Sequence, residues 1–289
     1  MIMADEEVYL NGKYIPAKEA SISIFDRGFI FGDGVYEVIP VYGGRLFRIQ
    51  QHLDRLRHSL AEIKLPIALS NQEITQIFKR LLKKRGDDAS VYLQITRGAA
   101  PRNHVFPKQM TPTILAYAQD LVYPDEAYRQ AGIHAVSFPD QRWERCDIKS
   151  VSLLANVLAR QYAHEHNAAE AVLFRDGKMT EGAASTLFVV HDGQLLTTAT
   201  GHSILPGITR ELVLELACDH GLSCQQTDIT EQQVKQADEL WLSSSTKEIL
   251  PIVKLDGNPV GDGKPGSHYY QIIKLYDEFK DKFRNGEVS

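Results

Sequence analysis

The sequence contains several two-residue turns of a kind that joins adjacent antiparallel strands. Asn11-Gly12 lies between two strand-like runs at residues 8–15, while Asp176-Gly177 and Asp192-Gly193 divide residues 171–196 into short apolar segments. Asn-Gly and Asp-Gly adopt positive φ at little cost, and that conformation matches the twist of a β-hairpin. Both halves of the chain therefore contain hairpins, and this pattern argues against the regular strand–helix–strand units of a dinucleotide-binding domain.

Amphipathic helices accompany the hairpins. Apolar residues recur at steps of three and four between Ile49 and Ile63, and Ser70 with Glu73 has the spacing of a capping box at the start of a second helix. Two more helices are predicted in the second half, one from Pro206 to His220 with proline in its first turn. The other runs from about Ser152 to His166, with its apolar face formed by Leu153, Leu154, Val157, Leu158 and Tyr162.

A linker-like stretch at residues 119–125 separates the two halves. We therefore predict a two-domain protein of mixed α/β class, with a smaller N-terminal domain at 1–120 and a larger domain at 121–289. A chain of 289 residues is long enough for two cores of ordinary size.

Composition excludes several classes of function. A net charge of -5 without a long basic run gives no reason to expect nucleic acid, and no apolar stretch is long enough to span a membrane. Residues 1–7 are acidic and lack the apolar core of a signal peptide, while the three cysteines lack CxxC spacing. We therefore expect a cytoplasmic protein without disulfides. His164 and His166 point to different sides of a helix, so no metal site is expected either.

Lys149 lies between a strand-like run at 133–138 and the helix predicted to begin near Ser152. A lysine at such a junction can point into a cleft and form a Schiff base with a cofactor. Taken alone, however, a lysine in this position is more often a solvated surface residue. The choice between these interpretations depends on the rest of the chain.

Three kinds of group suit a phosphorylated cofactor and its substrate. Leu205 to Arg210 is a glycine turn at a helix start, where free N–H groups and the helix dipole favour a phosphate, and Arg55 could supply a cation. Glu181 precedes a run of small residues, and a buried carboxylate requires a partner such as a protonated ring nitrogen. Arg102 and His104 suit a carboxylate. Each also has an ordinary interpretation as a helix cap, an exposed turn or a solvated loop.

Taken together and in order, these residues resemble the class IV aminotransferases, the fold-type IV enzymes that use pyridoxal 5′-phosphate. The similarity covers nearly the whole chain. The motifs that carry it are Arg27-Gly28 with Phe31 to Glu37, His52 to Leu56, Cys146 to Ser150, Thr180 to Gly182 and Gly207 to Arg210.

The resemblance implies that the cofactor lies in a cleft between the two domains. It implies that Lys149 forms the internal aldimine and then moves the proton between the substrate Cα and the C4′ of the cofactor. Glu181 would pair with the pyridine nitrogen. The cofactor phosphate would be held in the region of Leu205 by Arg55, Ile208, Thr209 and Ser245.

Within this family, Arg102 and His104 resemble the residues with which D-amino-acid aminotransferases bind the substrate α-carboxylate, joined by Tyr36. The resemblance implies a homodimer in which the Arg102 loop reaches the neighbouring site. The expected reaction is ping-pong, with D-alanine and 2-oxoglutarate giving pyruvate and D-glutamate. The alternatives are a branched-chain L-amino-acid aminotransferase, a lyase of the aminodeoxychorismate type, and a protein that binds the cofactor without turnover. Ala183-Ala184-Ser185 and Pro40 depart from the pattern and leave the range of substrate side chains open.

Overall fold

The structure, a computed structural model, describes residues 6–288 and divides the chain into two compact units. The first unit contains the chain up to Val122, and the second begins at Tyr123. Two later segments, Ile148–Ser152 and the chain from Phe283, also belong to the first unit. The sequence analysis predicted a single boundary near residue 120 and did not predict that these two later segments belong to the first unit. Residues 1–5, most of the segment predicted not to be a signal peptide, lie outside the described residues.

The first unit is built on an antiparallel sheet. Inward-facing residues of its central strands, such as Val35, Ile39 and Val91, pack with Leu53 and Phe78 of two helices into one apolar core. The strands are β1 (Glu7–Leu10), β2 (Lys13–Pro16), β3 (Gly34–Tyr42), β4 (Arg45–Leu46), β5 (Ala89–Thr96) and β6 (Thr113–Asp120), in the order β2-β1-β6-β5-β3-β4, and the helices are α1 (Arg27–Phe31), α2 (Ile49–Glu62) and α3 (Asn71–Leu82).

The second unit contains a larger mixed sheet. Only the pairs β11–β12, β15–β7 and β7–β8 are parallel among the strand pairs of residues 123–282. The strands are β7 (Ile133–Pro139), β8 (Glu170–Arg175), β9 (Lys178–Gly182), β10 (Thr186–His191), β11 (Gln194–Thr197), β12 (Cys224–Gln226), β13 (Ile229–Thr230), β14 (Glu239–Ser244), β15 (Glu248–Leu255) and β16 (Asn258–Pro259), in the order β12-β11-β10-β14-β15-β7-β8-β9-β13 with β16 on β15. The helices are α4 (Glu126–Ala131), α5 (Leu154–Glu165), α6 (Ile208–Asp219), α7 (Glu231–Lys235) and α8 (Ser267–Arg284).

The turns and caps predicted from local sequence are present. Asn11 and Gly12 both have positive φ between β1 and β2, as do the two Asp-Gly pairs that follow β8 and β10. The side chain of Ser70 accepts from the Glu73 N–H, and the Glu73 carboxylate accepts from the Ser70 N–H. These two bonds complete the predicted capping box of α3. The mixed α/β class with hairpins in both halves is thereby confirmed.

The predicted apolar face of α5 was wrong. Leu154, Val157 and Leu158 are 72%, 57% and 52% exposed, whereas Ala159 and Ala163 are buried against the sheet. Small alanine side chains allow the helix to approach the sheet closely, and Leu154, Val157 and Leu158 lie on the exposed face, while Tyr162 packs on Phe138. The periodicity was therefore real, but it marked an outward-facing apolar surface of this chain.

Within residues 6–288, no helix combines the length and the apolar character needed to cross a membrane. The same residues contain no group of three or more metal-binding side chains. The cysteines Cys146, Cys218 and Cys224 are all free thiols.

Candidate active site

Lys149 is held by backbone hydrogen bonds on the edge of strand β3. Its carbonyl accepts from the Tyr36 N–H at 3.0 Å, and its own N–H donates to the Ser59 hydroxyl of α2 at 3.1 Å. The Lys149 Nζ lies 4.2 Å from the centroid of the Tyr36 ring, over its face. A cation over an aromatic face is electrostatically favoured. The structure thus brings together two residues that the sequence analysis assigned to the site, the half-buried Lys149 and Tyr36.

Arg55 belongs to a buried charge cluster that the sequence analysis did not anticipate. Its Nε and Nη2 both donate to the Glu37 carboxylate at 2.8 Å, a two-point contact that fixes the guanidinium plane. The Nδ1 of His52 lies 2.8 Å from the same carboxylate. All three side chains are buried, and Glu37 has no exposed surface. The cluster therefore fixes the orientation of Arg55, the residue predicted to meet the phosphate.

Burial and pairing oppose each other at Glu37. Burial alone raises the pKa of the carboxyl, but the charge and hydrogen bonds of Arg55 and His52 outweigh it and hold the pKa at about 2. Burial lowers the pKa of His52, only partly offset by Glu37. The Nε2 of His52 is buried and has no hydrogen-bond partner among residues 6–288. In the sequence, Glu37 ends the motif from Phe31 and is in phase with Val35 and Ile39 on the buried face of β3, but the sequence analysis gave it no role.

Glu181 lies at the end of β9 and is buried. The N–H of Leu205 lies 3.2 and 3.3 Å from its two carboxylate oxygens, and Arg142 forms an ion pair with it. Burial is the largest influence on this carboxyl and raises its pKa, although Arg142 and the Leu205 N–H oppose the shift. Arg142 also donates to Asp140 at 2.9 Å and to the Ser203 carbonyl at 3.1 Å. No periodic or motif signal distinguished Arg142 from the other arginines of its loop.

The segment from Leu205 leads directly into helix α6, whose first two residues are Ile208 and Thr209. Gly207 occupies the N-cap position and makes no side-chain cap, so N–H groups of the first turn remain available. A Cβ on Gly207 would lie 2.8 Å from the Thr186 hydroxyl, which shows how closely the helix start approaches β10. The predicted helix from Pro206 thus begins two residues later. The Leu205 N–H contacts Glu181, and the chain runs on from Leu205 to Ile208 and Thr209 at the start of α6.

Strand β14 brings further hydroxyl groups to the same region. Thr186 is the cross-strand partner of Ser243, whose buried hydroxyl has no partner within the described residues. Ser245, predicted to bind phosphate, follows two residues later in the loop after β14 and is half-buried. The second unit therefore gathers hydroxyl groups and a helix N-terminus at one place. Such an arrangement suits an anion.

The loop that carries Arg102 and His104 is anchored at its base. Asp33 accepts from the Nε of both Arg27 and Arg97 at 2.8 Å, and Arg27 also donates to the Asn103 and His104 carbonyls. Arg102 and the His104 ring both contact the Phe31 ring, at 5.4 and 5.2 Å from its centroid. Both side chains are exposed in this chain. The base of the loop is thus anchored by Asp33 and Arg27, and the side chains of Arg102 and His104 are exposed.

Comparisons with known proteins identify the family of the chain. The family model for class IV amino-transferases matches residues 34–255. The D-alanine aminotransferase of Staphylococcus haemolyticus is 39% identical over 275 residues, covering 94% of this chain and 97% of that protein. The D-alanine aminotransferase of Bacillus licheniformis is 40% identical over 261 residues, covering 90% and 92%.

Solved structures share the fold. The branched-chain amino acid aminotransferase of Escherichia coli superposes with a TM-score of 0.90 at 24% identity, covering 95% of this chain and 94% of that one. The corresponding enzyme of Thermobaculum terrenum, solved in its PLP-bound form, gives a TM-score of 0.85 at 24% identity, covering 98% and 97%. At that level of identity these two matches establish the fold alone. The family match and the identity to the curated relatives go further: this chain belongs to the class IV aminotransferases.

Proposed function

We propose that the protein is a pyridoxal-phosphate-dependent D-amino-acid aminotransferase that converts D-alanine and 2-oxoglutarate to pyruvate and D-glutamate. One observation carries the cofactor assignment: the buried carboxylate of Glu181 is joined through the Leu205 N–H to the uncapped start of α6. The specificity for D-alanine rests on the curated relatives, which match this chain over nearly its full length.

The residues present fit such a cofactor. A phosphate requires hydrogen-bond donors, and the first turn of α6 supplies N–H groups while Thr209 and Ser245 supply hydroxyls. The orphaned hydroxyl of Ser243 indicates that polar groups here are arranged for a partner outside the chain. By the family resemblance, Arg55, whose orientation is fixed by Glu37, would supply a cation. The carboxylate of Glu181 suits a protonated pyridine nitrogen.

When bound, pyridoxal phosphate supplies an electron sink for the pair released at the substrate Cα. Lys149 would hold the cofactor through its Nζ and then carry the proton from Cα to the C4′ carbon. Glu181 would keep the ring nitrogen protonated, with Arg142 holding the carboxylate in the charged form. Tyr36 lies beside the Lys149 Nζ and would orient it during proton transfer.

Arg102 and His104 would bind the substrate α-carboxylate of a neighbouring protomer. Their exposure supports this role, since side chains open to solvent beside Phe31 can meet a substrate carboxylate. Apolar residues around them are also exposed, as expected for a surface covered by a second copy. These are Ile22, Ile24, Phe25, Phe29, Val105 and Phe106. A homodimer is therefore part of the proposal, as is a cytoplasmic location, which the three free thiols favour.

The decisive experiment compares three amine donors, each with 2-oxoglutarate: D-alanine, L-leucine and (R)-1-phenylethylamine. D-Alanine should turn over fastest, and Lys149→Ala should abolish transfer. Faster turnover of L-leucine would favour a branched-chain L-amino-acid aminotransferase, and elimination without transfer would favour a lyase. Cofactor binding without turnover of any donor would reduce the protein to a binding protein.

Arg102→Ala tests the carboxylate site in the same assay. Losing one charge-assisted contact should raise the KM for D-alanine by about 10- to 100-fold. The KM for (R)-1-phenylethylamine, which has no carboxylate, should change little. Lys108→Ala removes another exposed cation of the same loop and should leave both values unchanged. Equal effects of Arg102→Ala on the two donors would contradict the assignment.

A further inference from the structure

Another buried carboxylate, Glu170 of β8, lies outside the groups assigned so far. Its side chain has no exposed surface, yet it receives four hydrogen bonds. Arg160 at 3.2 Å and the Ala171 N–H at 3.0 Å contact Oε1, while the Ser185 hydroxyl at 2.9 Å and the Lys247 ammonium at 3.3 Å contact Oε2. A carboxylate removed from water is costly unless it is paired in this way. Glu170 therefore joins separate segments of the second unit.

Through Ser185, Glu170 fixes the turn that follows Glu181. The Gly182 N–H donates to the Ser185 carbonyl at 2.7 Å, which closes the turn. A Cβ on Gly182 would lie 2.2 Å from the Ser185 hydroxyl, so this hydroxyl occupies the space that a side chain at position 182 would need. The turn is packed tightly around the bond between Ser185 and Glu170. The conformation of the chain just after Glu181 thus depends on Glu170.

Through Lys247, the same carboxylate fixes the loop that contains Ser245. This loop joins β14 to β15, and the Lys247 N–H donates to the Ser244 hydroxyl at 3.1 Å. The next residue, Glu248, has a φ of +55°, so the loop returns to the sheet through a left-handed residue. Such a conformation is costly for a residue with a side chain and persists only where its surroundings impose it. The ion pair with Glu170 is one of the contacts that do so.

We infer that Glu170 and Lys247 form a positioning pair that holds the Ser245 loop in the conformation that binds the cofactor phosphate. This inference rests on the proposed function. Lys247 acts through the loop, because its ammonium is engaged by Glu170. Removing the Lys247 ammonium leaves the chemistry at Lys149 intact but loosens one wall of the phosphate site. Pre-organisation of this kind contributes to affinity by reducing the ordering required on binding.

The test measures the affinity of the apoprotein for pyridoxal phosphate and for pyridoxal, which lacks the phosphate. Lys247→Met should weaken binding of pyridoxal phosphate by about tenfold and change that of pyridoxal by less than about twofold. Glu170→Gln also releases the turn after Glu181, so it should weaken binding of both ligands, and of pyridoxal phosphate by more. The double variant should be no weaker than Glu170→Gln alone, since Lys247 acts only through Glu170.

Arg160→Met is the matched control. It removes a half-exposed cation from the other oxygen of Glu170 without touching the Ser245 loop, so the preference for pyridoxal phosphate over pyridoxal should be unchanged. If Glu170→Gln fails to fold, the preference for pyridoxal phosphate over pyridoxal can still be compared between Lys247→Met and Arg160→Met, and that comparison decides the question.

Two results would overturn the inference while leaving the proposed function in place. One is an unchanged preference for pyridoxal phosphate over pyridoxal in Lys247→Met, whether or not both ligands bind more weakly, and the other is multiplied effects in the double variant. Multiplied effects would show that Lys247 contacts the phosphate independently of Glu170. Wild-type protein that does not prefer pyridoxal phosphate over pyridoxal would overturn the proposed function itself.

Discussion

Replacing Glu37 by glutamine should remove a large, pH-dependent contribution to stability. The pKa of Glu37 falls from the ordinary 4.5 to about 2, because Arg55 and His52 outweigh the effect of burial. At about 1.4 kcal/mol per pKa unit, this carboxylate contributes about 3 kcal/mol to the free energy of unfolding when ionised. A depressed carboxyl pKa stabilises the fold above pH 4.5. The contribution is lost as the pH falls from 4.5 towards 2.

The assay is urea unfolding of wild type and Glu37→Gln at several pH values between about 6 and 2.5. The difference in unfolding free energy should be constant above about pH 5 and should shrink by up to about 3 kcal/mol towards pH 2. The variant also leaves Arg55 buried without its counter-charge, which makes it less stable at neutral pH.

Asp54→Asn serves as the control, because Asp54 is an exposed carboxylate on helix α2, next to Arg55 in the sequence. It should retain the wild-type dependence of stability on pH. A difference between wild type and Glu37→Gln that stays constant down to pH 2.5 would refute the reasoning. It would mean that Glu37 is not held ionised by its two partners.

Three further variants test other parts of the structure. Arg142→Met should raise the pKa of Glu181 further and weaken cofactor affinity at neutral pH, with recovery as the pH rises and Glu181 ionises; affinity that is independent of pH would contradict this. Gly98→Ala should lower the unfolding free energy by roughly 1–3 kcal/mol, since Gly98 has a φ of +83° and its Cβ would lie 1.9 Å from the Thr111 carbonyl. Gly86→Ala should not lower the unfolding free energy, because there is open space around Gly86. Equal melting temperatures of the Gly98→Ala and Gly86→Ala variants would exclude the clash. Phe29→Glu should shift a dimer to a monomer in gel filtration. Val122→Glu, a change at an exposed apolar residue outside that surface, should not. An unchanged mass for Phe29→Glu would place the interface on another face.

Local features of the fold were predictable from sequence because their causes are local. The hairpin at Asn11-Gly12 requires positive φ at two adjacent residues, and these residue types provide it. The cap at Ser70 depends only on a residue three positions away. The buried face of α5 was not predictable in this way, since close packing against the sheet selected Ala159 rather than the larger Leu158.

The residues of the candidate site also fall into two groups, those that local sequence predicts and those that it does not. Lys149, Glu181 and the start of α6 lie in short motifs whose order carries the resemblance. Their supporting partners come from distant parts of the chain. Glu37 is an ordinary strand residue until the fold places Arg55 beside it, and Arg142 is one arginine among several until Glu181 is buried next to it. Nothing local marks such pairs.

The return of Ile148–Ser152 to the first unit has a consequence for how that unit can be produced. Lys149 and Val151 complete the hydrogen bonding of β3 at Tyr36 and Gly34, and Arg45 donates to the Phe283 carbonyl near the other end of the chain. A fragment that ends at Val122 would therefore expose unpaired N–H and C=O groups along one edge of a central strand, a surface that templates aggregation. During synthesis this edge stays open until residue 151 has emerged.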